Sequence, residues 1–203
     1  MWNSGILASR HRDFGFFLRF DNINQDRITI AENWGTVSNF KIEFDIKEFN
    51  DTSTTTYILL KHGNDFRADP SLRLGIVGNK IQVFIRNTGG TIETVISDLI
   101  TLPFSGLIRI ENNSLWVNDD EYPITYNLDT TWNDEVQTFI AINNNLTAPF
   151  KGDIKDFETP KNKYLLNSGV GDVAVSENNE NGNIQTSNAG GINYINSNMW
   201  QKL

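Results

Sequence analysis

Residues 40–49 read FKIEFDIKEF, and the alternation in them decides the fold. Phe40, Ile42, Phe44 and Ile46 take turns with Lys41, Glu43, Asp45 and Lys47. Successive side chains of an extended strand point to opposite faces, so this spacing predicts a long strand with one apolar face on a core and one charged face toward water or a ligand. A half-buried strand of that kind belongs to an antiparallel sheet with one covered and one solvated side.

Upstream of it, the segments 14–20 and Arg27–Ala31 read as strands separated by an Asn/Asp-rich turn, and Trp34-Gly35 breaks the chain before the central strand. Downstream, Thr56–His62 is a strand followed by a polar loop. Leu72–Val77 turns through Gly78-Asn79 into Lys80–Asn87, which passes Thr88-Gly89-Gly90 into Thr91–Ser97. Leu107–Glu111 and Ser114–Asn118 form a hairpin about Asn112-Asn113, and a turn at Asp119-Asp120 leads into Tyr122–Thr125. Val136–Asn143, apolar in consecutive positions, suits a strand covered on both sides. Phe150–Thr159 alternates again, with Phe150, Ile154 and Phe157 facing in and Lys151, Asp153 and Lys155 facing out. No segment holds a helical apolar stripe for longer than about ten residues. Short strands between Gly, Asn and Asp turns predict an all-β, two-sheet antiparallel jelly-roll sandwich.

The chain divides into three regions. Residues 1–13 have no sustained period and are read as an N-terminal arm; residues 14–160 form the sandwich. Residues 161–203 are rich in Asn, Gly and Ser but keep apolar anchors such as Tyr164, Val173, Ile184, Tyr194 and Trp200. A flexible linker does not keep so many large apolar groups, so an irregular tail docked on its own sandwich or on a partner subunit is expected.

Composition narrows the function classes. The formal charge of −8 over 203 residues, with no basic run, argues against nucleic acid as a partner. No apolar stretch approaches the roughly 20 residues that span a bilayer, so membrane insertion is not expected. The absence of cysteine removes disulfides, thiol catalysis and thiolate metal sites. The start, MWNSGILASRHRD, has no basic segment leading into an apolar one, so no secretory signal is expected. His11 and His62 are the two histidines and stand in no metal-ligand spacing. Gly169-Val170-Gly171 precedes no helix and is no phosphate loop.

The order FLRFDNINQDRITI, FKIEFDIK, a Gly-Asn hairpin, SLWVNDDEYPI and FKGDIKDFET resembles the concanavalin A-like lectin/glucanase superfamily, in particular its laminin-G-like branch, over about residues 14–159. The motifs are core and turn positions and imply a fold more than an activity. Ser105-Gly106-Leu107 stands where that family has a Trp-His strand, and Asn118-Asp119-Asp120 where it has Asp-Gly. The C-terminal stretch, with LNSGVGD and NGN ahead of Trp200, resembles tails that follow such domains in phage virion proteins. The combined resemblance implies a non-enzymatic virion component (tail, fibre or surface decoration) of an extracellular particle. Its implied partners are other virion proteins and a host-surface glycan, with the chain as an oligomer or assembly subunit. The alternative is a secreted carbohydrate-binding protein or a glucanase-like glycoside hydrolase.

Glucanases of this superfamily carry Glu-x-Asp-x-x-Glu on a strand, and Glu43, Asp45 and Glu48 match that lettering. A retaining mechanism needs two carboxyl groups about 5 Å apart. Glu48 shares the face of Glu43 and Asp45 only if a bulge turns it back. The early place of the motif in the chain, Lys47 within it and the lack of flanking aromatic subsites favour solvated strand charges, so no catalytic residue is assigned. For sugar binding, Trp116 alternates with the apolar Leu115 and Val117 and so is expected to reach the surface, with Arg86, Asn143 and Asn145 as polar partners. The other reading, that Trp116 caps the sandwich or lies under the tail, stands beside it. No cofactor is required. Asp65 and Asp69 in one loop and Asn143–Asn145 in another offer the hard oxygen ligands that calcium takes, although turn capping is their commoner use.

Overall fold

The computed structural model describes residues 16–20, 27–30, 34–51, 55–61, 71–86, 89–132, 138–141, 150–165, 173–175, 181–187, 193–195 and 200–202. For Phe16, Leu165 and every described residue from 173 onward it gives the path of the backbone. The expected arm at 1–13 lies outside the described residues.

In chain order the strands are β1 (Phe16–Phe20), β2 (Arg27–Ile30), β3 (Lys41–Phe49), β4 (Thr56–Lys61), β5 (Ser71–Val77), β6 (Lys80–Arg86), β7 (Ile92–Leu99), β8 (Phe104–Glu111) and β9 (Ser114–Val117). They continue with β10 (Asp120–Pro123), β11 (Thr138–Ile140), β12 (Gly152–Glu158), β13 (Lys163–Leu165), β14 (Val173–Val175), β15 (Asn181–Ser187), β16 (Asn193–Ile195) and β17 (Trp200–Lys202). The first sheet runs β10-β9-β8-β3-β12-β1-β17, with β13 also on β12. The second runs β14-β15-β2-β11-β4-β5-β6-β7, with β16 also on β15. Every described pairing between strands is antiparallel, so the chain is the two-sheet jelly-roll sandwich that its alternation predicts.

Turn chemistry sets the hairpins. Gly78 and Asn79 both have positive φ (56° and 61°), as do Asn112 and Asn113 (50° and 54°). Two consecutive positive values match a tight turn to the twist of its strands, and Gly and Asn adopt them most readily.

β3 lies in the middle of the first sheet and sends Ile42, Phe44, Ile46 and Phe49 into a core where all four are fully buried. Facing them from the second sheet are Leu72, Leu74 and Ile76 of β5 and Ile81, Val83 and Ile85 of β6. At one end Trp34, Phe40 and Trp132 meet with ring centroids 5.4 to 5.8 Å apart, held where Trp132 N donates to Gly35 O and Phe40 N to Asp129 Oδ1, both at 2.7 Å. Farther along, Phe44, Phe157 and Tyr164 stack across β3, β12 and β13, with centroids 5.7 and 4.6 Å apart. Aromatic pairs placed directly opposite on neighbouring strands pin the register.

Within residues 161–203, β13 extends the Phe44–Phe157 stack through Tyr164, β15 pairs with β2, and β17 pairs with β1. The turn into β13 is tight, with Thr159 N donating to Asn162 O at 2.8 Å. Short Asn- and Gly-rich segments carry little intrinsic strand signal, but exposed ladder groups on β1 and β2 offer them partners.

β3 also departs from strict alternation. Ile46 pairs with Gly106 and Phe49 with Phe104, so Lys47 and Glu48 together face the single residue Ser105. This bulge exposes both Lys47 and Glu48 while returning Phe49 to the core. Deleting Lys47 leaves Ile46 inward, Glu48 outward and Phe49 inward in regular alternation, whereas deleting Glu43 turns one end of the strand inside out. In chemical denaturation ΔLys47 is expected to stay cooperative with a loss under about 2 kcal/mol, and ΔGlu43 to lose more than about 4 kcal/mol or fail to fold.

Candidate functional site

Of the residues singled out from sequence, Trp116 and Arg86 are among the described ones, and they lie apart. Trp116 lies on the outer face of the first sheet, since Leu115 and Val117 on either side of it are buried. Arg86 lies on the outer face of the second sheet, next to the buried Ile85. The two are therefore on opposite sides of the sandwich. Asn143 and Asn145, like Asp65, Asp69, His11, His62 and Gly169–Gly171, lie outside the described residues. Trp116 is half-buried, and the Arg109 guanidinium sits 5.2 Å from its ring centroid, so a cation occupies one face of the expected platform. Among the described residues no group of three acidic or histidine side chains is arranged to hold a metal.

The outer face of the first sheet is a lattice of opposite charges. Lys41 Nζ lies 2.8 Å from Glu158 Oε2 and 3.1 Å from Glu43 Oε2; Arg109 Nε lies 3.3 Å from Glu111 Oε1; Lys155 Nζ lies 3.9 Å from Asp45 Oδ2. Burial pulls the Lys41 ammonium down, but its hydrogen bonds to Glu158 and Glu43 outweigh that and leave its pKa raised. Ser114 Oγ and Glu121 Oε1 are 2.6 Å apart at the rim. Glu43 is thus paired with a cation beside it, and the bulge turns Glu48 out onto the face of Glu43 and Asp45 but in a different neighbourhood, beside Asp153.

That neighbourhood is a cleft of about 270 Å³ where β1, β3 and β12 run side by side, lined by Arg19, Phe20, Glu48, Asn50, Lys151, Gly152 and Asp153. Asp153 is buried and accepts two hydrogen bonds from Arg19, Nε to Oδ1 at 2.9 Å and Nη2 to Oδ2 at 2.8 Å. The hydrogen bond to Asp153 chiefly raises the Arg19 pKa, against partial burial and with help from the charges of Asp153 and Glu48. Glu48 is the register partner of Asp153 on β3. The floor is bare for a steric reason: a Cβ on Gly152 would run into the Glu48 carbonyl oxygen and come within 2.7 Å of the Phe150 ring. Phe150 is itself fixed between Phe49 and Phe20, at centroid distances of 5.4 and 6.3 Å.

The chemistry of the cleft is mixed. Arg19 and Lys151 donate, Glu48 accepts, and Asn50 does both. Two cations balance two carboxylates, so the site has no strong preference for a charged ligand and suits a neutral molecule rich in hydroxyl groups. Glu48 and Asp153 are register partners on adjacent strands, but both Asp153 oxygens are engaged by Arg19, which leaves no second free carboxylate for a two-carboxylate hydrolysis. Alternation alone places Arg19 and Asp153 outward, yet 134 residues separate them, and only the pairing of β1 with β12 brings them together.

No protein-family model matches the chain, and no characterised protein matches it by sequence. Solved structures do. The LG4-5 domains of the mouse laminin alpha1 chain match with a TM-score of 0.53 at 12% identity, over 70% of this chain and 41% of that one. The LG1-3 region of the laminin alpha2 chain matches with 0.52 at 9% identity, over 76% and 32%. The CBM40 of the Ruminococcus gnavus IT-sialidase matches with 0.51 at 12% identity, over 70% and 89%. The chain thus spans less than half the length of the two laminin structures. These likenesses show a two-sheet jelly-roll sandwich, and at such identities they show the fold alone.

The Arg19–Asp153 contact makes a testable distinction within the cleft. Asp153→Ala is expected to lower the unfolding free energy by about 1–2 kcal/mol, limited because Arg19 stays in contact with water, whereas Glu48→Gln stays within about 0.5 kcal/mol of wild type. Urea titration of the two variants measures the difference.

Proposed function

We propose that this chain is a non-catalytic glycan-binding module that recognises a neutral saccharide in the cleft between β1, β3 and β12. The observation that carries the reading is the pairing of Arg19 with the buried Asp153 carboxylate beside the side-chain-free floor at Gly152, with Lys151, Asn50 and Glu48 around it. A rigid charged pair holds its donors in fixed directions, and the ring of mixed donors and acceptors around it matches vicinal hydroxyl groups. A pocket of this size takes one or two sugar units rather than a long chain. The fold is one that a CBM40 also uses, which is in keeping with a binding role.

Absence of catalysis is part of the proposal. Glu43 is paired with Lys41, Asp153 is held by Arg19, and Glu48 lacks a second free carboxylate beside it among the described residues. The setting we propose is the surface of an extracellular phage particle, where the module serves in adhesion. Support for that setting is the C-terminal stretch from LNSGVGD to NGN and Trp200, whose pattern resembles tails of virion proteins. Mass spectrometry of purified particles tests it, and particles that lack the chain would contradict it.

A glycan array probed with wild-type protein and with Arg19→Ala/Lys151→Ala tests the site itself. Wild type is expected to retain a defined set of neutral glycans and the double variant to lose at least roughly tenfold in affinity, while Glu43→Gln binds like wild type. Reducing ends released by wild type and abolished in Glu43→Gln or Glu48→Gln would establish a hydrolase instead.

A further inference from the structure

The strand β7 stands apart from the rest of the described surface. Among the described strands it is the edge of the second sheet and pairs with β6 alone. The exposed large apolar side chains among the described residues are Ile92 (49%), Ile96 (50%) and Leu99 (70%) on this strand and Val77 (37%) at the near end of β5. Ile92, Thr94 and Ile96 share the outer face, while Val95 packs inward on the core.

An exposed, unpaired strand with apolar residues is a template for another strand, and proteins ordinarily guard such edges with lysine, proline or inward charge. β10, at the matching edge of the first sheet, is guarded: it reads Asp120-Glu121-Tyr122-Pro123. β7 has no lysine and no proline. Glu93, the one charge between Ile92 and Ile96, lies on the inward side with Val95 and accepts hydrogen bonds from Thr125 N at 2.6 Å and Tyr126 N at 2.7 Å, so this inward charge is met within the sandwich.

From this we infer that β7 is an interface between two copies of this chain, joined by antiparallel pairing of residues 92–96 about a two-fold axis at Thr94. The sequence is self-complementary about that point. With Thr94 opposite its own copy, Ile92 falls opposite Ile96 twice over, and four isoleucines close around two threonines on one face of a continuous sheet. The occupant is a second copy because an Ile-x-Thr-x-Ile strand in two-fold register supplies its own match. The bulge at Ser97 and Asp98, where Lys80 pairs with Leu99 and Gln82 with Ile96, bends the strand and ends the ladder after Ile96. The contact is a short one, so the dimer is expected to be reversible.

Sedimentation of the wild-type chain over a concentration series should show a monomer–dimer equilibrium, and Ile96→Lys should weaken association at least roughly tenfold. Because the chain has no cysteine, Thr94→Cys introduces a single thiol at the axis. Mild oxidation should link that variant to its own copy far faster than Asp119→Cys, since opposed residues in an antiparallel ladder lie within disulfide reach. A wild type that stays monomeric, a dimer untouched by Ile96→Lys, or equal cross-linking of the two cysteine variants would overturn the inference.

Discussion

The rest of the structure depends on a two-residue period with one interruption. Ile42, Phe44, Ile46 and Phe49 must all face the core from one strand, but Ile46 and Phe49 are three residues apart, which strict alternation forbids. The bulge at Lys47 and Glu48 resolves the conflict. It keeps the apolar column continuous, and it sets Glu48 beside Asp153 of β12, which holds Arg19 of β1. The same extra residue that saves the core therefore builds one wall of the cleft.

The two outer faces then take different characters from the same architecture. On the first sheet, cross-strand pairing sets Lys41, Glu43 and Glu158 together and places Arg109 over Trp116, so charges are met within the sheet. Exposed ion pairs of this kind add little stability, but they leave few free groups for chemistry. On the second sheet the outward side chains of β7 from Ile92 to Ile96 carry no charge, although Arg86 of β6 stands opposite Ile92, and their exposed apolar surface favours contact with another surface. The proposed saccharide cleft and the proposed self-association strand thus fall on different parts of one sandwich.

Much of the fold is legible in the residues, for reasons that can be named. FKIEFDIKEF announces its faces by period, and Gly78-Asn79 and Asn112-Asn113 announce their turns because few residues tolerate positive φ. The spacing of Ile46 and Phe49 leaves room for a bulge, but nothing local tells which residues of the neighbouring strands Lys47 and Glu48 meet. Strands such as Val173–Val175 and Asn181–Ser187 are also hidden, since their order comes from the edges they meet rather than from their own propensity. The site was the least visible part. Alternation tells which way Trp116 points but not that Arg109 lies over it, and no local signal links Arg19 to Asp153 across most of the chain.

The most direct measurement is a crystal structure of the chain soaked with neutral oligosaccharides. Intact sugar density over Gly152, contacted by Arg19 and Lys151 with the Glu48 bulge in place, is the expected result. Sugar bound along Glu43 and Asp45 with a cleaved glycosidic bond, or a β3 that runs through Lys47 without a bulge, would contradict it.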